Sequence, residues 1–271
     1  MQDLRGRVAV VTGGGGGIGR ALALAFADEG MNVVLSDVDL SPAQAVADEV
    51  KGRGVRSLAV QTDVSDRAAV ERLAETTYRE LGGTHVLCNN AGVVTMRLTQ
   101  DMSEADWDWV LGVNLYGVIH GIEAFLPRML AANEGGHIVN TSSIAGLVPA
   151  AIPGIASYTT AKYGVVGLSE SLALDLADKG IGVSVMCPGG VRSRIGEAGR
   201  NRPAEYGGPE APSPVPGDVV PQETIEPEQL AAQVIRAIRA NELYVLSHPE
   251  TQPAVEARFA ALLAAFDAFP G

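Results

Sequence analysis

At 271 residues, 46% of them apolar and 19% charged, the chain is long enough for one well-buried domain and has the composition of a soluble globular protein. A formal charge of −12 argues against nucleic acid and anionic membrane surfaces as partners. The opening Met1-Gln2-Asp3-Leu4-Arg5 has no signal-peptide pattern and no apolar run reads as membrane-spanning, so the expected compartment is the cytoplasm.

In chain order, residues 7–12 form a β-branched strand, Gly13 to Gly17 follow without a break, and Ile18-Gly19-Arg20 opens an apolar helical run. Strand, glycine turn and helix make a phosphate cradle: glycine lets the backbone approach a pyrophosphate, whose charge sits on the helix N-terminus. The five glycines fit two templates, Gly13/Gly17/Gly19 and Gly14/Gly16/Gly19, and do not choose between them. Asp37 ends a second strand at 32–36, twenty residues after Gly17, where a carboxylate accepts from ribose hydroxyls and repels a 2′-phosphate. Further strand-like runs fall at 57–61, 84–89, 136–141, 181–187 and 243–246, with helical stretches between them. That alternation predicts an α/β fold: a single doubly wound Rossmann-type domain with a parallel seven-stranded sheet and helices on both faces, over residues 1–248. The stretch from Ser103 to about Ala132 reads as one long helix, apolar on more than one side.

Tyr158 and Lys162 stand four apart, on one face of a helix, and the chain holds only three lysines. A phenol normally ionises near pH 10; a fixed ammonium beside it favours the phenolate, as an acid/base catalyst requires. Lysine is also a compact donor that can reach a ribose hydroxyl. Between Ile144 and Ala156 the chain is mostly apolar (Leu147, Val148, Ile152, Ile155), and Val94, Met96 and Leu98 are candidates for a second wall. Such a pocket suits a hydrophobic secondary alcohol or ketone.

Residues 192–226 hold six prolines (Pro203, Pro209, Pro212, Pro214, Pro216, Pro221), so no long helix runs through them. The segment leaves the carboxyl end of a strand, where open α/β sheets bind ligands, and reads as a substrate lid or as an insertion without a role. Arg192, Arg194, Arg200 and Arg202 cluster at its start, either as a clamp for an anionic group or as a solvated face paired with local acids such as Glu197 and Glu205. The tail, 249–271, has room for one short amphipathic helix. Cys88 and Cys187 read as buried apolar residues, and the four histidines show no ligand spacing, so no metal is expected.

In this order and spacing, Thr12-Gly13-x-x-x-Gly17-Ile18-Gly19, Asn89-Asn90-Ala91-Gly92, Asn114, Ser142-Ser143, Tyr158-x-x-x-Lys162 and Pro188-Gly189-Gly190-Val191 resemble the short-chain dehydrogenase/reductase family, from about Leu4 to Ser247. The resemblance implies Tyr158 as acid/base, Lys162 tuning it and holding the nicotinamide ribose, Ser143 bonding the substrate oxygen with Ser142 as its rival, and Asn114 holding a proton-relay water. It places Gly13, Gly16, Gly17, Ile18 and Gly19 at the pyrophosphate and Asp63 and Val64 at the adenine. Asn90, Ala91, Gly92, Pro188, Gly189, Val191 and Ser193 join them along the cofactor, Ser193 standing where the family usually has threonine. Asp37, Val38 and the lack of a basic residue at Gly16 favour NAD over NADP. The expectation is an NAD-dependent oxidoreductase acting on a hydrophobic secondary alcohol or ketone, in a homo-oligomer. The alternatives are a 3-oxoacyl carrier-protein reductase or a non-catalytic dinucleotide sensor.

Overall fold

The alternation of strand and helix resolves, in a computed structural model describing residues 1–149, 153–212 and 223–267, into one seven-stranded sheet. Its strands are β1 (Val8–Thr12), β2 (Asn32–Asp37), β3 (Ser57–Gln61), β4 (Val86–Asn89), β5 (Gly136–Thr141), β6 (Ile181–Cys187) and β7 (Tyr244–Leu246). Their spatial order is β3-β2-β1-β4-β5-β6-β7, and every pairing is parallel. The order reverses between β1 and β4, which opens a crevice at their carboxyl ends, the place where such sheets bind ligands.

Both faces are covered. Alternate strand residues point opposite ways. Ala9 and Val11 of β1 face a layer containing Leu22 and Phe26 of α1 (Gly17–Asp28), Val46 of α2 (Leu40–Lys51) and Leu230 of a late helix. Val10 faces the other layer, with Leu73 of α3 (Arg67–Leu81) and, from later helices, Phe125, Met129 and Leu172. Cys88 and Cys187 are buried free thiols within the sheet.

The predicted long helix is present over Glu104–Ala132 and carries a π turn within it. It comprises α4 (Glu104–Leu111), a π turn (Gly112–Tyr116) and α5 (Gly117–Ala132). A capping box starts it: the Ser103 hydroxyl accepts from the Asp106 amide, while the Asp106 carboxylate accepts from the Ser103 amide at 2.8 Å. Contrary to the reading of the sequence, Glu104–Ala132 is, by length and composition alone, long and apolar enough to cross a bilayer. Phe125 and Met129 pack on the sheet and Asp106 and Asn114 are buried, so that apolarity serves the core.

After α6 (Ala156–Asp175), the proline-rich segment forms 3-10 turns at Ile195–Asn201 and Ala204–Tyr206 and no long helix up to Pro212. Residues 213–222, with Pro214, Pro216 and Pro221, and Ile152 in the earlier apolar loop lie outside the described residues. The chain continues with α7 (Pro227–Ala240) and, past β7, α8 (Gln252–Asp267). The tail helix is neither short nor amphipathic: it runs 16 residues with none buried, and Phe259, Leu262, Leu263 and Phe266 are all exposed.

Candidate active site

One cleft of about 840 Å³ runs along the carboxyl edge of β1, β4, β5 and β6. Every site residue named from the sequence lines it except Asn114. At one end lies the glycine turn. Gly13 and Gly17 have positive φ, and a Cβ at Gly19 would stand 2.1 Å from the Gly13 carbonyl oxygen, whereas Gly16 is extended. The structure thus selects the Gly13/Gly17/Gly19 template that the sequence left open. Among the described residues no side chain caps the N-terminus of α1, so its first amides face the cleft with nothing from Gly16 to satisfy them. Thr12 opens the glycine motif, and the motif alone gives it no role. Its hydroxyl accepts the amides of Asn90 and Ala91 at 2.9 and 3.1 Å, stitching the turn after β4 to β1.

Asp37 stands beside this turn and accepts from the Gly15 amide at 2.9 Å. The Asp63 carboxylate accepts from the Ser65 amide and hydroxyl, which fixes it at the end of β3. Asn89, facing into the sheet, donates to Asn140 at 2.9 Å, and Asn140 donates to Ser169 on α6 at 3.0 Å. This chain of bonds ties β4 to β5 and α6.

The other end holds Ser143, Tyr158 and Lys162. One helical turn separates Tyr158 from Lys162 on α6, and both are buried. The Lys162 Nζ lies 5.4 Å from the Tyr158 ring centroid and donates to the Thr141 carbonyl at 2.8 Å. Burial lowers its pKa from the ordinary 10.5 to about 8. For Tyr158 the expected depression does not occur: burial pushes the phenol above its ordinary value, and its hydrogen bond with Ser143 offsets that only in part. The two serines separate by direction. Ser142 donates to the Lys162 carbonyl at 2.8 Å, while Ser143 lies against Tyr158 and the Pro188 carbonyl, at 3.4 Å from the latter.

Asn114 sits just behind the cleft, in the π turn. Its carboxamide donates to the Val93 carbonyl and accepts from the Val93 amide, both at 2.8 Å. A Cβ on Gly92 would be 3.3 Å from its Oδ1 and 3.7 Å from Lys162 Nζ, so the two groups meet at Gly92.

Val94, Trp109, Val148, Ile155, Ile195 and Ala198 line the apolar part of the cleft. Met96 packs behind them and Leu98 is exposed, so the second wall is narrower than expected. The arginine cluster does not act as one group. Arg192 pairs with Glu226 and Arg200 with Glu197. Arg202 is buried against Asp106 and Glu210, both at 2.7 Å, and stacks on Trp109. Arg194 has no ion-pair partner among the described residues and lies over Gly16, its Nη2 3.1 Å from where a Cβ there would stand.

A doubly wound parallel sheet with a glycine turn at its switch point and a buried tyrosine–lysine pair in the same cleft defines an oxidoreductase of the dinucleotide-fold class. The chain belongs to the short chain dehydrogenase family, whose family model matches residues 7–203. It is 35% identical, over 97% of its own length and 87% of the relative's, to the C alpha-dehydrogenase of Sphingobium sp. (strain NBRC 103272 / SYK-6). To the 3-oxoacyl-[acyl-carrier-protein] reductase FabG of Staphylococcus aureus (strain Mu50 / ATCC 700699) it is 40% identical, over 70% of this chain and 76% of that one. A short chain dehydrogenase/reductase from Burkholderia phymatum, whose crystal structure is a complex with NAD, superposes with a TM-score of 0.91 at 36% identity, covering 98% of this chain and 97% of the other.

Proposed function

We propose that the protein is an NAD-dependent oxidoreductase interconverting a hydrophobic secondary alcohol and its ketone. The observation that carries this is one cleft with an uncapped glycine turn and a carboxylate at one end and buried Ser143, Tyr158 and Lys162, walled by apolar side chains, at the other. The cradle fits a dinucleotide: a side chain at Gly19 would close it, and Asp37 stands where a ribose diol would be bonded. Gly13, Gly16, Gly17, Ile18 and Gly19 would hold the pyrophosphate, Asp63 and Val64 the adenine, and Asn90, Ala91, Gly92, Pro188, Gly189, Val191 and Ser193 the remainder. When bound, NAD supplies the hydride acceptor of the reaction.

Ser143 bonds the substrate oxygen and Tyr158 takes the alcohol proton, or returns it to the ketone in the reverse direction. Lys162, protonated, favours the phenolate as it forms and bonds the ribose beside it. Asn114 is read as holding the relay water through the lone pair that Val93 leaves on Oδ1. The NAD preference draws on Asp37 and on the NAD complex of the Burkholderia relative. A homo-oligomer is part of the same reading, with Leu174 and Phe266, each more than three-quarters exposed, as faces that a subunit contact would cover.

A second reading, an NADP-linked 3-oxoacyl reductase, has one observation in its favour: the Arg194 guanidinium over Gly16, which has no ion-pair partner among the described residues. Nicotinamide absorbance with NAD+ and NADP+ against hydrophobic secondary alcohols, for the wild type and Tyr158→Phe, separates the readings. The expected outcome is turnover with NAD+ that falls about 10²–10⁴-fold in the variant. Turnover with the phosphorylated cofactor alone would overturn the NAD reading.

A further inference from the structure

The turn Pro188–Val191 leaves β6 and lines the cleft with all four of its residues. It is held from one side by the serine loop: the Ile144 amide donates to the Pro188 carbonyl at 2.9 Å, and Ser143 lies 3.4 Å from the same oxygen. From the other side it is held by one imidazole. His248, just past β7, is 3% exposed. Its Nδ1 accepts the Gly189 amide at 3.1 Å, and its Nε2 lies 3.0 Å from both the Gly190 and the Glu223 carbonyls. Those roles require a neutral ring with its proton on Nε2, because Nδ1 must accept and Nε2 must donate. The Ser247 hydroxyl, 2.6 Å from Nδ1, is a further donor to the same nitrogen.

Glu223 lies on the far side of the proline-rich segment. The chain departs at Val191 and returns at Ile225, where the two form a parallel bridge: Arg192 donates its amide to the Ile225 carbonyl at 3.1 Å, and Ile225 donates to Gly190 at 3.0 Å. His248 therefore bonds the departing turn and the returning strand together. A buried histidine is ordinarily an internal cross-brace, as His137 is within the sheet, bonded to Ser184 at 2.8 Å. His248 differs because two of its backbone partners, Gly189 and Gly190, line the cleft.

We propose that His248 is a positioning residue that fixes the Pro188–Val191 turn against the reacting half of the bound dinucleotide. This rests on the dinucleotide reading above. The reacting ring has to reach Tyr158, and the turn is tied to Ser143, so the turn borders that half; the glycine turn and Asp37 border the other. Loss of the imidazole should then weaken the nicotinamide end alone.

Calorimetric binding of NAD and of ADP-ribose, which lacks the nicotinamide, to the wild type, His248→Ala and His248→Asn tests this. The expected result for His248→Ala is a roughly tenfold weaker NAD affinity, with ADP-ribose affinity held within about twofold. His248→Asn retains an acceptor near Nδ1 and should recover part of the NAD loss; if the alanine variant does not fold, the asparagine variant still shows the selective deficit. Equal losses for both ligands, or no loss for either, would overturn the positioning role. A wild type that binds neither ligand would overturn the dinucleotide reading, and this inference with it.

Discussion

Charging Lys162 inside the core is unfavourable, and the protein retains it. Its proton is held less tightly folded, near pH 8, than at the ordinary 10.5. The full penalty therefore applies below about pH 8, at about 3 kcal/mol, and fades as pH rises from about 8 to 10.5. Its bond to the Thr141 carbonyl returns about 1 kcal/mol. Lys162→Met, similar in length and uncharged, should be about 2 kcal/mol more stable than the wild type at neutral pH, with the gap closing in alkaline buffer, while turnover is lost. Denaturant melts of both proteins at neutral and alkaline pH check the sign. A variant less stable at neutral pH would mean that the ammonium is a structural tie, against the role proposed for it.

At the scale of elements, the π turn at Gly112–Tyr116 is where the sequence pattern was least informative. Apolar residues on several sides of 103–132 say helix, and nothing in Gly112-Val113-Asn114 marks an extra residue in the turn. The cause is tertiary: Asn114 has to reach both backbone groups of Val93, beyond β4. Asn114→Ala removes the partner of that amide and that carbonyl, at about 1–3 kcal/mol each unless water from the cleft replaces it. A loss of about 2–4 kcal/mol in unfolding free energy is expected, with faster amide exchange confined to the residues around Val93. A loss of activity at unchanged stability would instead support the relay reading. The strands were legible because parallel strands covered on both faces are continuous apolar runs, and all seven lie within two residues of their predicted places. The glycine turn was legible because only glycine meets its backbone demands at Gly13 and Gly17.

Across the whole molecule, what stayed hidden is whatever joins residues distant in sequence. Arg202 falls among other arginines in the chain, yet its partner Asp106 sits on α4, and Glu210 and Arg97 complete the network. His248 shows no ligand spacing in the sequence, because its partners are backbone groups that no side-chain motif announces. The Arg202 network pins the stretch from Ile195 to Glu210 onto the start of α4. Burial alone would raise the Asp106 carboxyl, but bonds from Ser103 and Arg202 hold it below the usual range, so the tie persists until strongly acidic pH. Removing one partner of a buried ion pair ordinarily costs about 3–5 kcal/mol. Here the cost has a cheaper outlet. Few side chains of that stretch are buried besides Arg202 and Ala198, so releasing it exposes far less apolar surface than global unfolding does. Arg202→Ala should therefore leave the melting temperature nearly unchanged, become rapidly cleaved by protease between Ile195 and Glu210, and raise KM for the alcohol more than for the dinucleotide. A large fall in melting temperature without local cleavage would show instead that the network belongs to the core.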